Sequence, residues 1–216
     1  MLPQQQARLE QILAALNGKT GGIIAIDGRA ASGKTTLAKA LAVNLSAGLV
    51  HMDDFFLPLS LRTEERLAQP GGNVHYERFV DEILPHIGGD YEFSYWVFDC
   101  GTMDYGKIRK VAPSAWRVVE GAYSCHPVFG EYMTLRVFSD VEPEEQLRRI
   151  LERDGEDKLA MFRDRWLPLE ERYISCHHLP KPTPPPAHPP QPTHPEQSQS
   201  PLPTLHLDEP AYTYPC

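Results

Sequence analysis

"IIAIDGRAASGKTTLAKAL", residues 23–41, opens as an apolar run, breaks into glycine and small polar residues, and resumes an apolar rhythm at helical spacing. Ile23, Ile24, Ala25 and Ile26 read as a strand buried in a parallel sheet, while Leu37, Ala38, Leu41, Ala42 and Leu45 mark one face of a helix. Between them, Gly28–Thr35 fits G-x-x-x-x-G-K-[ST], a loop whose backbone N–H groups wrap an anion. Glycine is required where the backbone must approach phosphate and turn through positive φ. The helix adds its positive N-terminal end to the same anion. Gly28, Ala30, Ala31, Ser32, Gly33, Lys34, Thr35 and Thr36 are therefore the expected nucleotide contacts, with Lys34 on the outer phosphates and the Thr35 hydroxyl on Mg²⁺.

Outward from this loop the chain alternates strands and helices. Leu9, Ile12, Leu13 and Leu16 recur at helical spacing over residues 4–17, with Gly18 as a stop. "GLVHMDDFF" reads as a short strand ending in acidic residues, and residues 75–87 as a helix with Phe79, Val80, Ile83 and Leu84 inward. "FSYWVFDCGTMDYGKIRKV" fits a hairpin, and "WRVVEGAY" and "YMTLRVFSD" are two further strands. The pattern predicts an α/β domain over residues 1–178, a three-layer α/β/α arrangement around a mostly parallel sheet. The last 38 residues, from Leu179 on, hold 13 of the 21 prolines and have no period; they read as a disordered Pro-rich tail, 179–216.

With 216 residues, 41% of them hydrophobic, the chain can bury one sizeable core. A formal charge of −8 argues against a nucleic-acid partner. No stretch has the length and apolarity of a membrane span, and the first residues lack the pattern of a signal peptide, so a cytoplasmic location is expected. Cys100, Cys125, Cys176 and Cys216 show no metal spacing and read as free thiols. The partner expected is a small-molecule substrate, and homo-oligomerisation is left open.

Acidic residues narrow the chemistry of the loop. Asp53 and Asp54 lie just past the carboxyl end of a strand, the edge at which open α/β sheets bind ligands. A carboxylate there can accept the proton of an attacking hydroxyl and hold Mg²⁺; Asp53 is assigned this role, with Asp54 as a cap or support. Glu120 ends a third apolar strand, where an acidic residue reaches the metal or the acceptor. In a helical segment over about residues 142–166, Arg149 and Arg153 stand one turn apart on one face and could close as a lid over the triphosphate, whereas Arg148, Arg163 and Arg165 read as a solvated, ion-paired face.

Together "GRAASGKTT", "MDDFF", "VVEGAY" and "RRILERD" resemble the uridine kinase and phosphoribulokinase-like branch of P-loop kinases, over roughly residues 20–175. The resemblance implies transfer of the γ-phosphate of ATP, with Mg²⁺, to a hydroxyl of a small acceptor, foremost a nucleoside such as uridine or cytidine. It makes Asp53 the base, Lys34 and Thr35 the phosphate and metal contacts, Glu120 a metal or acceptor contact, and Arg149 and Arg153 the lid. Pantothenate or a sugar is the alternative acceptor, and a nucleotide-binding regulator without turnover is a third reading. Tyr76, Phe79, Tyr95, Trp96 and Phe98 lie in the stretches that would flank the acceptor and offer aromatic faces for stacking. Two departures stand out: His75 occupies a position where the family carries an acidic residue, and the proline run follows the lid where a further strand is usual.

Overall fold

The computed structural model describes residues 3–179 and 204–207. Along the chain run α1 (Pro3–Ala15), β1 (Gly22–Gly28), α2 (Lys34–Leu45), β2 (Gly48–His51), α3 (Glu64–Ala68), α4 (Tyr76–Glu82), α5 (Leu84–Ile87), β3 (Phe93–Asp99), β4 (Asp104–Val111), β5 (Trp116–Glu120) and β6 (Leu135–Ser139). α6 (Pro143–Asp154), α7 (Glu156–Met161), a π-helical turn at Phe162–Trp166, α8 (Leu167–Cys176) and β7 (Thr204–Leu207) follow.

Five strands form one sheet in the order β2-β5-β1-β6-β7, and every pairing in it is parallel. Strand alternation sends Ile24 and Ile26 of β1 to one face, where they meet Leu9 and Ile12 of α1 and Leu37 and Leu41 of α2. On the opposite face Val50, Val119 and Phe138 pack with Phe55, Phe79 and Tyr173. Helices thus cover both faces, as the near-continuous apolar strands require. Register sets the site: Ile26 and His51 both pair with Glu120, so the ends of β1, β2 and β5 deliver their last residues to one edge of the sheet.

β3 and β4 form a separate antiparallel hairpin, as the sequence suggests. The helix expected over residues 75–87 is two short ones joined at Ile83, with Pro85 in the first turn of α5. Proline has no N–H for the preceding turn, so the first helix ends there. Phe79 and Ile83 are buried as anticipated. Cys100, Cys125 and Cys176 are free thiols; Cys216 lies outside the described residues.

The C-terminal segment departs from the expectation of a tail without structure throughout. Thr204–Leu207 forms β7, parallel to β6 at the edge of the sheet, and Leu179 is buried in the core. The sheet does receive a strand after the lid, drawn from beyond the prolines. "TLHL" contains no proline and alternates, which a composition averaged over 38 residues conceals. Residues 180–203 and 208–216 lie outside the described residues. Leu207 is 2% exposed and packs with the α1–α2 layer. Leu207→Ala should therefore cost about 2–5 kcal/mol in urea unfolding; an unchanged midpoint would show that β7 does not dock.

Candidate active site

Chain geometry at the phosphate loop follows from its glycines. Gly28 has φ +133° and a Cβ there would lie 2.0 Å from the Ser139 carbonyl oxygen; Gly33, at φ +90°, starts α2. Ala31 also sits at positive φ. The Lys34 ammonium donates to the carbonyls of Gly28 (2.9 Å) and Arg29 (2.6 Å). The next three carbonyls are also taken, from the outside. Gln146 Nε2 donates to Ala30 O (3.1 Å), Arg149 Nη1 to Ala31 O (3.2 Å), and Ser139 Oγ and Arg8 Nη1 to Ser32 O (3.2 and 3.3 Å). Glu170 Oε2 accepts from the Ala30 N–H (2.7 Å) and its Oε1 from Gln146 (3.0 Å). With its carbonyls tied back, the loop turns toward the N-terminal end of α2, whose first N–H groups have no intrahelical acceptor. The buried Ser32 hydroxyl has no hydrogen-bond partner among the described residues. A loop held in this way fits an incoming phosphate.

Asp27 is the residue the sequence reading passed over. Its carboxylate, 1% exposed, accepts from the N–H groups of Gly28 (2.7 Å), Tyr123 (2.9 Å) and Cys125 (2.9 Å) and from the Tyr173 hydroxyl (2.7 Å). It joins β1 to the turn after Glu120 and to α8, and it holds Tyr123, a non-glycine residue at φ +75°. Burial pushes this carboxyl above its ordinary value, and the bonds from Tyr173, Cys125 and Gly28 and the Lys34 charge work against that push. The available signal was an aspartate inside an otherwise apolar strand. Asp27→Ala should lower stability by about 3 kcal/mol or more in denaturant unfolding, since several buried donors lose their acceptor; a loss under 1 kcal/mol would mean those donors find water.

At the sheet edge, Glu120 is 4% exposed; its Oε2 accepts from the Thr35 hydroxyl (3.1 Å), and its Oε1 pairs with His51 Nδ1. The 3₁₀ turn Met52–Phe55 rotates successive side chains by about a third of a turn, which separates the two aspartates. Asp54, 6% exposed, faces the hairpin, accepting from the Tyr95 hydroxyl (2.9 Å) and from Arg109 Nε (2.8 Å). Asp53 is exposed. Desolvation by the protein beneath it raises its carboxyl above the ordinary range; the charges of Glu120 and Asp54 add to this, and Lys34 and His51 oppose it.

Thr35, Asp53 and Glu120 supply oxygen donors only, a set suited to Mg²⁺, which keeps several waters and shares phosphate oxygens. Among the described residues no group of three His, Cys or carboxylate side chains forms a self-contained metal site. The arginines separate. Arg149 reaches the loop, whereas Arg153 is exposed and pairs with Asp154 (2.7 Å).

The aromatic acceptor wall expected from the sequence needs correction. Phe79 is 0% exposed, enclosed by Phe55, Phe129 and Tyr132 at 5.4, 4.3 and 5.7 Å between ring centroids. Tyr95 is 2% exposed, stacked on Phe55 and bonded to Asp54, so it braces the Asp53–Asp54 turn from behind. Tyr76 stacks on His126 and carries the Arg66 guanidinium 3.8 Å from its ring centre. Helix and hairpin periodicity turn Phe79 and Tyr95 into the core, while Tyr76 stays half-buried at its edge. Trp96 is exposed beside Ile108, its cross-strand partner, next to a shallow hollow of about 280 Å³ lined by Glu82, Ser94 and Tyr95.

No protein-family model and no curated protein sequence matches the chain. Solved structures do. A protein from Bacillus stearothermophilus provisionally assigned as a uridine kinase superposes with a TM-score of 0.58 at 18% identity, over 81% of this chain and 92% of that one. Another, from a Silicibacter species and provisionally assigned as a kinase of a fructose transport system, gives 0.63 at 20% identity, over 81% and 95%. The chain shares the α/β fold of these two proteins.

Proposed function

We propose that this chain is an ATP-dependent, Mg²⁺-requiring kinase that transfers the γ-phosphate to a hydroxyl of a small polyhydroxy acceptor. The observation that carries this reading is the divergence of the two aspartates: Asp54 is tied to Tyr95 and Arg109, while Asp53 stays exposed within the electrostatic reach of Glu120 and Lys34. A motor or a switch needs no free carboxylate where an acceptor hydroxyl would sit; a kinase does.

The loop N–H groups and Lys34 bind and orient the triphosphate. Asp53 accepts the acceptor's proton as its oxygen attacks, and its raised carboxyl makes it a stronger base than an ordinary aspartate. Glu120, fixed by Thr35 and His51, orients the metal-side oxygens. Bound Mg²⁺, held by Thr35, Asp53 and Glu120, would neutralise charge on the β- and γ-phosphates. Arg149 at the loop adds positive charge as transfer proceeds; Arg153 would have to leave Asp154 to join it. Nucleosides and sugars are both candidate acceptors. Phe79 and Tyr95 lie in the core, so neither offers a ring face to a base. A cytoplasmic location belongs to this reading. No helix among the described residues is long and apolar enough to cross a membrane.

ADP release with MgATP over a panel of nucleosides, sugars and pantothenate tests the proposal. Acceptor-dependent ADP with a phosphorylated product supports it. ATP binding with no product from any acceptor would replace it by the regulator reading.

A further inference from the structure

A glutamate is almost never fully buried unless it is paired, and Glu170 is buried against the phosphate loop with a second buried polar side chain, Gln146. Gln146 lies near the start of α6 and Glu170 in the first turn of α8; each is 4% exposed. Together they close a ring on one residue of the loop. Glu170 Oε2 accepts from the Ala30 N–H (2.7 Å), Gln146 Nε2 donates to the Ala30 carbonyl (3.1 Å), and the same Nε2 donates to Glu170 Oε1 (3.0 Å). Both hydrogens of the Gln146 amide and both oxygens of the carboxylate are thereby committed. Ala30 is 116 residues from Gln146 and 140 from Glu170, so nothing local in the chain demands the contact.

The residue after Ala30 carries the strain that the ring restrains. Ala31 has φ +59°, a left-handed conformation in which Cβ crowds the backbone, and such a conformation persists where its surroundings over-determine it. The ring fixes the peptide groups on both sides of Ala30, and Arg149 Nη1 holds the Ala31 carbonyl (3.2 Å). The Ala30 N–H, one of the nucleotide contacts expected from the sequence, is instead given to Glu170. A carboxylate is an unfavourable neighbour for a polyanion. The Lys34 charge acts on Glu170, so the buried acid lies within electrostatic reach of the group that would meet the outer phosphates. Its charge therefore opposes nucleotide binding while its geometry favours it. Lys34 and Arg29 offset part of that charge, and a bond from a loop N–H to an ionised acceptor is of the stronger kind.

We propose that Glu170 and Gln146 are positioning residues that hold the Ala30–Ala31 backbone in the form that receives phosphate, so that the net effect of this buried acid on nucleotide affinity is favourable. Both act through the loop backbone. The pair also joins α6 and α8, the helices on either side of α7 and the π-turn, to a single loop residue, so a shift of either helix is felt at the phosphate site. This rests on the kinase reading for its use of ATP, but its test needs neither acceptor nor turnover.

The test is calorimetric titration with MgATP, well below the unfolding temperature of each variant, together with amide hydrogen exchange over residues 28–33 of the nucleotide-free protein. Glu170→Ala and Gln146→Met should each weaken MgATP binding about tenfold or more, because a buried loop group loses its partner, and should speed exchange across the loop. Glu170→Gln should fall between Glu170→Ala and the parent, since its Oε1 can still accept from the Ala30 N–H while its Nε2 meets the Gln146 amide donor to donor. Magnesium tripolyphosphate should lose affinity by a similar factor, which assigns the effect to the phosphates. If Glu170→Ala does not fold, Gln146→Met, of similar volume and without the amide, carries the comparison. Tighter MgATP binding by Glu170→Gln would show that the carboxylate acts as a repelling charge and would overturn the proposal. Parental affinity in Gln146→Met and Glu170→Gln, with only a lower unfolding midpoint, would overturn it in favour of a packing role. No MgATP binding by the parent would instead remove the kinase reading, and loop exchange in Gln146→Met, quickened or unchanged, would then decide the grip by itself.

Discussion

Lys34→Ala should abolish phosphoryl transfer, with kcat reduced about 10³-fold or more while the fold persists. Lys34 is 8% exposed and bonded only to loop carbonyls; the helix it opens is held by Leu37, Ala38 and Leu41, which the substitution does not touch. The change removes a point charge from the outer phosphates, where the developing charge of transfer concentrates, and losses of this kind are large because the site is arranged in advance. Initial rates of ADP release, compared with a thermal unfolding curve for the same protein, separate the two effects. Near-normal rates would take the loop out of the mechanism.

Asp53→Asn should act on a different quantity. ATP affinity should persist while kcat falls about 10²-fold or more, as for loss of a general base. The amide keeps the shape of the side chain, and no hydrogen bond of the 3₁₀ turn depends on its charge, because Asp54 makes the contacts to Tyr95 and Arg109. The parent protein should also lose kcat/KM for ATP as pH falls, since protonation removes the base. Its carboxyl is raised, so the midpoint should lie above the ordinary aspartate value of about 4. If Asp53→Asn raises only the KM of the acceptor, the residue positions the acceptor and takes no proton.

The parts of the fold legible in the sequence are those written in local pattern. The buried run before Gly28, the helical face after it and the hairpin alternation all lie within windows shorter than twenty residues, and the structure follows each of them. What escaped depends on partners far apart in the chain. Glu170 meets Ala30, and Asp27 meets Tyr173, through side chains that read as an ordinary helical glutamate and tyrosine. Phe79 and Tyr95 were drawn toward the acceptor by their position in the sequence, yet their own periodicity faces them inward. Arg165 read as one more member of a solvated face; only the extra residue per turn in the π-segment sets it against Trp166.

The last strand gives this protein an order of assembly. β6 ends at Ser139, but the strand that completes its edge begins at Thr204, so on the ribosome the sheet waits with one edge open while the intervening chain is made. Such distant pairing slows folding and lengthens the exposure of an aggregation-prone edge. Arg8 ties this delay to the nucleotide site, because its guanidinium spans the Ser32 carbonyl of the loop and the Leu207 carbonyl of β7. One of the outer restraints on the phosphate loop is therefore secured by a residue made before the loop and a strand made after the lid, and a nascent chain that has translated every residue of the loop and the lid still lacks it.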